Sequence, residues 1–102
     1  MFSIFKNLFK SNSADLSLLI ANGASIIDVR TASEFTSGHI KGSINIPLDQ
    51  IGAQADKFKK NKQIIVCCRS GSRSGQAKQI LDAKGFENIT NGGSWQNVNQ
   101  YK

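Results

Sequence analysis

Residues 63–84 read QIIVCCRSGSRSGQAKQILDAK, and they decide the fold. The apolar run within Gln63–Cys67 predicts a short buried strand. The solvent-facing loop Cys68–Arg73 is rich in Ser and Gly, and it leads into a helix predicted from about Ser74 to Lys84, which Gly85 ends. A strand, a small-residue loop and a helix in this order indicate one unit of an α/β domain.

Units of the same kind lie on both sides of this stretch. Further strands are predicted at 25–29, 44–46 and 86–90, with a turn at 91–93. Further helices are predicted from a cap at Ser13 to Gly23, at 32–37 after an N-cap at Thr31, and as one or two short segments within 49–60. Strands alternate with helices without hairpin signals, so we predict an α/β fold with a mainly parallel central sheet and helices on both faces.

Length, composition and the two cysteines narrow the class of protein. At 102 residues, 39% hydrophobic and 20% charged, the chain is an ordinary globular protein with room for one core. Cys67 and Cys68 point to opposite faces of a strand, so no disulfide is expected and a reducing, cytoplasmic setting is favoured. With His39 as the single histidine, they supply too few ligands for zinc. We therefore expect neither a metal nor another cofactor.

The net charge of +6 raises the question of an anionic partner. Four lysines between positions 57 and 62 lack interleaved aromatics and any nucleic-acid motif, so a solvated face is favoured over nucleic-acid binding. Residues 1–12 are interpreted as an amphipathic segment outside a domain at 13–102, because their apolar side chains fall at helical spacing. Packing of residues 1–10 on the domain, or partial fraying of this segment, is favoured over contact with a membrane surface.

The candidate nucleophile is the cysteine at the end of the third predicted strand. A loop of small residues can aim successive backbone N–H groups at Cys68, and the following helix adds its positive end, so both favour a thiolate. Arg69 and Arg73 strengthen that field and can hold an anionic donor. The alternative for a free cysteine, a small and inert buried thiol, is assigned to Cys67.

Several ordered motifs carry a resemblance to a known family. They are Asp28-Val29-Arg30, Glu34, Gly38-His39-Ile40, Gly42–Pro47, Val66–Ser74 and Gly92-Gly93-Ser94-Trp95. Over about residues 14–98 this pattern is similar to that of the rhodanese family of single-domain sulfurtransferases. The resemblance implies a rhodanese-type α/β sheet and a catalytic Cys68. In that family the cysteine takes the outer sulfur of thiosulfate or another donor as a persulfide and passes it to cyanide or a thiol.

The resemblance also gives the loop a role and narrows the reaction. It implies that the loop cradles the persulfide with its backbone amides and binds the donor, through Arg69, Ser70, Gly71, Ser72 and Arg73. Related phosphatases and arsenate reductases place five residues between Cys and Arg, whereas four separate Cys68 from Arg73, which favours sulfur transfer. Two functions stay open: an enzyme that turns over thiosulfate or a persulfide, and a sulfur carrier or interaction module that receives sulfur from a protein partner.

Other polar and aromatic residues of the motifs are given supporting roles. Asp28 and Arg30 are expected to tie loops together by hydrogen bonds and charge, as the resemblance implies. His39 is expected to make a local hydrogen bond, because no second residue suggests a catalytic dyad. Trp95 is expected to be a core or rim aromatic near the active-site edge.

Overall fold

The computed structural model describes residues 12–102, and the predictions for the N-terminal segment lie outside these described residues. The strands are β1 (Ser25–Asp28), β2 (Ile44–Asn45), β3 (Ile64–Cys68) and β4 (Ile89–Ser94). The helices are α1 (Asn12–Ala21), α2 (Ala32–Thr36), α3 (Leu48–Gln54), α4 (Ser72–Ala83) and α5 (Trp95–Asn99), with a 3₁₀ turn at Ala55–Lys57 after α3. All strand pairs are parallel, in the order β2-β1-β3-β4. The predicted α/β class and parallel sheet are confirmed.

Burial shows why β3 is the centre of the fold. All five of its residues are buried, because helices cover both faces of the sheet. Ile64, Val66 and Cys68 pack with residues of α3 and α4 on one face, and Ile65 and Cys67 pack with residues of α1 and α5 on the other. The two cysteines therefore face opposite sides, as predicted. Cys68 lies at the carboxyl end of β3, the sheet edge at which parallel sheets bind ligands.

The last strand differs from the prediction. The sequence predicts a strand at 86–90 and a turn at 91–93, but β4 runs from Ile89 to Ser94. Its pairing with β3 shifts register after Val66, so that Gly92 is the extra residue of a β-bulge. A Cβ on Gly92 would collide with Val98 Cγ2 of α5 and lie 2.9 Å from Ile65 Cγ2. The glycines that suggest a turn therefore allow a bulge and the close approach of α5.

Several element boundaries differ from the prediction by one to three residues. Helix α1 is described from Asn12, the first described residue, so Ser13 lies within the described helix and not before it. Helix α4 begins at Ser72, because Gly71, at φ +103°, turns the chain directly into the helix. Strand β3 includes Cys68, which the sequence assigns to the loop.

The helices include one that the sequence pattern did not indicate. Helix α5 follows Ser94, whose hydroxyl accepts a hydrogen bond from the Asn97 N–H at 3.1 Å and so forms an N-cap. Val98 of this helix is buried against the sheet. In the sequence only the cap residue Ser94 indicates helix α5, and the packing of Val98 against the sheet stabilises it. Among residues 12–102, no helix is both long and apolar enough to cross a membrane.

Candidate active site

Cys68 ends β3 beneath the loop that follows it. Gly71 has a left-handed backbone, which other residues adopt only with strain, and this turn folds the loop back over the strand end. The Gly71 N–H consequently donates a hydrogen bond to Cys68 Sγ, at 2.9 Å. Because the loop covers it, the Cys68 side chain is fully buried. The sequence-based placement of Cys68 on a solvent-facing loop is therefore wrong, although its position at the strand end is as predicted.

Opposing effects set the charge of the Cys68 thiol. Burial raises its pKa, but hydrogen bonds from the Ser74 hydroxyl and from the backbone N–H groups of Ser74, Gly71 and Ser70 lower it more. The pKa of Cys68 therefore lies below the usual value for cysteine. These N–H groups belong to the loop and the first turn of α4, where the positive end of the helix favours an anion. The fold thus favours the thiolate, which is the nucleophilic form.

Ser74 and Asn91 link the sulfur to β4. Ser74 Oγ lies 3.5 Å from Cys68 Sγ and 2.6 Å from Asn91 Oδ1, so its one proton can be donated to either atom. Asn91 Oδ1 also accepts from the Gly93 N–H at 3.0 Å, and Asn91 Nδ2 donates to the Gly71 carbonyl at 3.3 Å. Asn91 therefore positions both the loop and the Ser74 hydroxyl. The sequence, which assigns Asn91 to a turn, does not reveal this role.

Arg73 is already paired. Its guanidinium donates to both carboxylate oxygens of Glu34, at 2.7 and 3.0 Å. These hydrogen bonds raise the pKa of Arg73 and are the main reason that the pKa of Glu34 falls to about 2. The two side chains are 32% and 29% exposed, so the pair lies at the rim of the site. The predicted donor-binding charge of Arg73 is thus matched by a carboxylate that sequence analysis did not connect with the loop.

A buried ion pair, Asp28–Arg30, connects loops next to the site. Arg30 Nη2 donates to Asp28 Oδ2 and to the Gly38 carbonyl, both at 2.7 Å. The two charged side chains are 5% and 0% exposed. The Arg30 guanidinium also lies 4.8 Å from the ring centroid of Trp95, which is half-buried at the rim. Asp28 and Arg30 therefore tie loops together, which is the role expected for them.

Two open cavities flank the loop. One, of about 340 Å³, is lined by polar groups that include Glu34 and Arg69, with Trp95 beside them. The other, of about 320 Å³, is lined by three apolar residues, Leu48 among them, and by Thr31, Asp49 and Arg73. Cys68 lines neither cavity. The Glu34–Arg73 ion pair joins a residue of one cavity to a residue of the other, so it forms part of the wall between them.

His39 and Cys67 lie outside this constellation. His39 Nδ1 donates to the Phe35 carbonyl at 2.7 Å, and the two rings stack with centroids 3.8 Å apart, so its hydrogen bond is local as expected. Burial, and next the charge of Asp28, raise the pKa of Cys67 to about 12. Within the described part of the chain, no three His, Cys, Asp or Glu side chains are grouped so that they could hold a metal ion.

Comparison with known proteins agrees with this geometry. The sequence model of the rhodanese-like domain matches residues 12–99, which is most of the chain. The chain belongs to the rhodanese-like domain family. The rhodanese-like match thus includes the whole sheet, the loop after Cys68 and helix α5.

The relatives of this rhodanese-like chain differ in how much of their own length matches it. Thiosulfate sulfurtransferase PspE of Escherichia coli is 35% identical over 71% of this chain and 71% of its own length. Putative sulfur carrier protein YrkF of Bacillus subtilis is 35% identical over 65% of this chain, yet the match spans 36% of that protein; another B. subtilis relative is matched over 54% of its length. A solved structure described as rhodanese with anions from E. coli superimposes with a TM-score of 0.70, at 34% identity, over 74% of this chain and 91% of that chain. The fold is therefore rhodanese-like.

Proposed function

We propose that this chain is a sulfurtransferase that carries a sulfane sulfur as a persulfide on Cys68. The donor is thiosulfate or another persulfide donor, and the acceptor is cyanide or a thiol. A relative named as a thiosulfate sulfurtransferase supports this reaction class. The observation that carries the proposal is the hydrogen bond from the Gly71 N–H to Cys68 Sγ at 2.9 Å. This bond places a preorganised donor on the atom whose charge changes during the reaction.

Two displacements at sulfur account for the transfer. In the first, the Cys68 thiolate attacks the outer sulfur of the donor. A new S–S bond forms, the donor's S–S bond breaks, and the electron pair leaves with sulfite from thiosulfate or with a thiolate from a persulfide. In the second, cyanide or a thiolate attacks the outer sulfur on Cys68, and the Cys68 thiolate leaves while thiocyanate or a new persulfide forms. Charge is conserved in both steps, and no external oxidant or reductant is needed.

The loop serves both displacements. Negative charge passes between Cys68 Sγ and an outer sulfur about 2 Å farther along the S–S bond. The backbone N–H groups that lower the pKa of Cys68, those of Ser74, Gly71 and Ser70, stabilise this charge without having to reorganise. Only four residues separate Cys68 from Arg73, a narrow cradle that suits one sulfur atom better than a tetrahedral oxyanion. Phosphatase activity is therefore not proposed.

A second candidate function uses the same persulfide. In it the chain is a sulfur carrier that exchanges sulfur with a protein partner and turns over free thiosulfate slowly. The pairing of Arg73 with Glu34 favours this function, because it leaves less positive charge for a free dianion. The name of the YrkF relative, a putative sulfur carrier protein, also favours it. A cytoplasmic location stays a prediction from the two free thiols.

Loading and discharge of the sulfur test the proposal. The chain is exposed to thiosulfate, freed of donor, weighed by mass spectrometry and then given cyanide. We expect a gain of one sulfur atom that cyanide removes as thiocyanate, and ping-pong kinetics in turnover. Loading from a persulfidated protein alone would select the carrier function. Absence of loading from thiosulfate, from a low-molecular-weight persulfide and from a persulfidated protein would contradict both.

A further inference from the structure

Glu34 places a fixed negative charge against the loop arginine. Both of its carboxylate oxygens accept hydrogen bonds from the terminal nitrogens of Arg73, at 2.7 and 3.0 Å. This two-point geometry is the strong and directional form of an arginine–carboxylate pair. The positive charge of Arg73 is therefore matched before any donor arrives.

Glu34 is also held from its own side. Its Oε1 accepts from the Thr31 N–H at 3.0 Å and from the Thr31 hydroxyl at 3.1 Å. The Glu34 N–H donates in turn to Thr31 Oγ1, which completes a capping box and confirms Thr31 as the N-cap of α2. With its pKa at about 2, lowered first by Arg73 and next by Thr31, the carboxylate stays ionised at neutral pH. Glu34 is thus a permanent part of the charge around the site.

The other two arginines near the loop, Arg30 and Arg69, differ in burial and in ion pairing. Arg30 is buried and paired with Asp28 at 2.7 Å. Arg69 is exposed, lines the cavity beside Trp95, and makes no ion pair within residues 12–102. Of the three arginines near the loop, Arg69 is therefore the one whose charge no carboxylate within residues 12–102 matches.

We infer that Glu34 is a specificity-determining residue: by neutralising Arg73, it sets the Cys68 site for sulfane-sulfur donors that carry one negative charge rather than two. The inference rests on the proposed sulfurtransferase function. Its physical reason is that a dianion approaching a thiolate needs more positive charge than a monoanion does, since Coulomb energy scales with the charge of the donor. Persulfides and thiosulfonates belong to the favoured class, and thiosulfate to the other.

Two donors of nearly the same shape test the inference. Thiosulfate is a dianion, and in methanethiosulfonate a methyl group replaces one charged oxygen. Glu34→Gln removes the charge but keeps the side-chain length and the capping box. At low salt it should raise kcat/KM for sulfur loading about tenfold with thiosulfate and about threefold with methanethiosulfonate, because the logarithm of the gain follows donor charge. The gain should appear mainly in KM and shrink at high salt.

Three further variants serve as controls. Glu87→Gln makes the same chemical change at the opposite edge of the sheet, where Glu87 is exposed just before β4 and its N–H donates to the Lys60 carbonyl. It should leave the ratio of the two donor efficiencies unchanged. Arg73→Ala leaves Glu34 without its cation, so thiosulfate efficiency should fall about tenfold or more. Adding Glu34→Gln to Arg73→Ala should restore most of that loss.

The outcomes separate this inference from the proposed function. The role of Glu34 would be overturned if the native chain loads sulfur from both donors while Glu34→Gln leaves their efficiency ratio unchanged. An equal shift of the ratio in Glu87→Gln would overturn it as well. If the native chain loads from neither of these two donors, this inference fails, whereas the proposed function stands if a low-molecular-weight persulfide or a persulfidated protein still loads Cys68. Thermal unfolding followed by circular dichroism checks that each variant is folded. The comparison of Arg73→Ala with and without Glu34→Gln gives a second measurement of the effect of the Glu34 charge.

Discussion

Neighbouring thiols at positions 67 and 68 have opposite properties because side chains alternate along β3. Cys68 meets the N–H groups of the loop, which lower its pKa against the effect of burial. Cys67 meets the apolar layer beneath α1 and α5, and its pKa rises to about 12, mainly because of burial. A thiol with such a pKa is almost wholly protonated at neutral pH. Only Cys68 is then a nucleophile.

Alkylation of the folded chain by iodoacetamide should consequently modify Cys68 alone. The rate should rise with pH and level off at a lower pH than for free cysteine, whose pKa is about 8.5, because deprotonation is complete above the lowered pKa. Fragmentation of the labelled peptide by mass spectrometry locates the modified thiol. Cys67→Ala is the control and should keep the same pH profile. A midpoint at or above that of free cysteine would contradict the assignment.

At the scale of elements, β4 holds the loop through Asn91. Asn91→Ala removes three hydrogen bonds, those to Ser74, Gly71 and Gly93. The free energy of unfolding should fall by about 1–3 kcal/mol, because half-buried polar groups lose their partners. Sulfur loading should slow as well, since the loop carbonyl and the Ser74 hydroxyl are no longer positioned. Urea unfolding and the rate of mass gain measure the two effects.

Asn88→Ala is the matched control for this variant. Asn88 lies just before β4 and donates one exposed hydrogen bond to the Asn61 carbonyl, at 3.0 Å. Its removal should cost little stability and leave loading unchanged. Normal loading by Asn91→Ala would show that the loop keeps its active shape without β4.

The elements around Cys68 could be predicted from sequence because their signals are local. The apolar run before Cys68 and the glycine after α4 place both elements within two residues of their observed ends. The pair Gly92-Gly93 misleads, because two glycines give the same local signal in a turn and in a bulge. What decides between the two is the close packing of α5, which a local pattern does not report.

The contacts that tune the site could not be predicted in this way. Glu34 and Arg73 lie 39 positions apart, and no periodicity connects them. Glu34 carries a visible signal for a helix start, and Arg73 one for an anion site, but the sheet order alone brings α2 against the first turn of α4. Ser74 and Asn91, which are joined by a hydrogen bond, likewise lie 17 positions apart in the sequence.

At the scale of the whole molecule, the rhodanese-like match covers residues 12–99 and so does not include residues 1–10. Deletion of residues 1–10 should therefore leave kcat/KM for sulfur transfer largely unchanged. Lost activity in a truncated chain that stays folded would contradict this prediction. Pelleting of the full chain with anionic vesicles, absent after truncation, would favour the membrane-surface alternative for this segment.

The residue that carries the sulfur is tested most directly by mass spectrometry of two variants. A tryptic peptide of the native chain, residues 63–69, holds both cysteines, so Cys67→Ala and Cys68→Ser are compared, each with a single thiol. After exposure to thiosulfate and to methanethiosulfonate, we predict that Cys67→Ala gains one sulfur atom, which cyanide removes, and that Cys68→Ser gains none. Sulfur on Cys68→Ser, with none on Cys67→Ala, would contradict the assignment of Cys68.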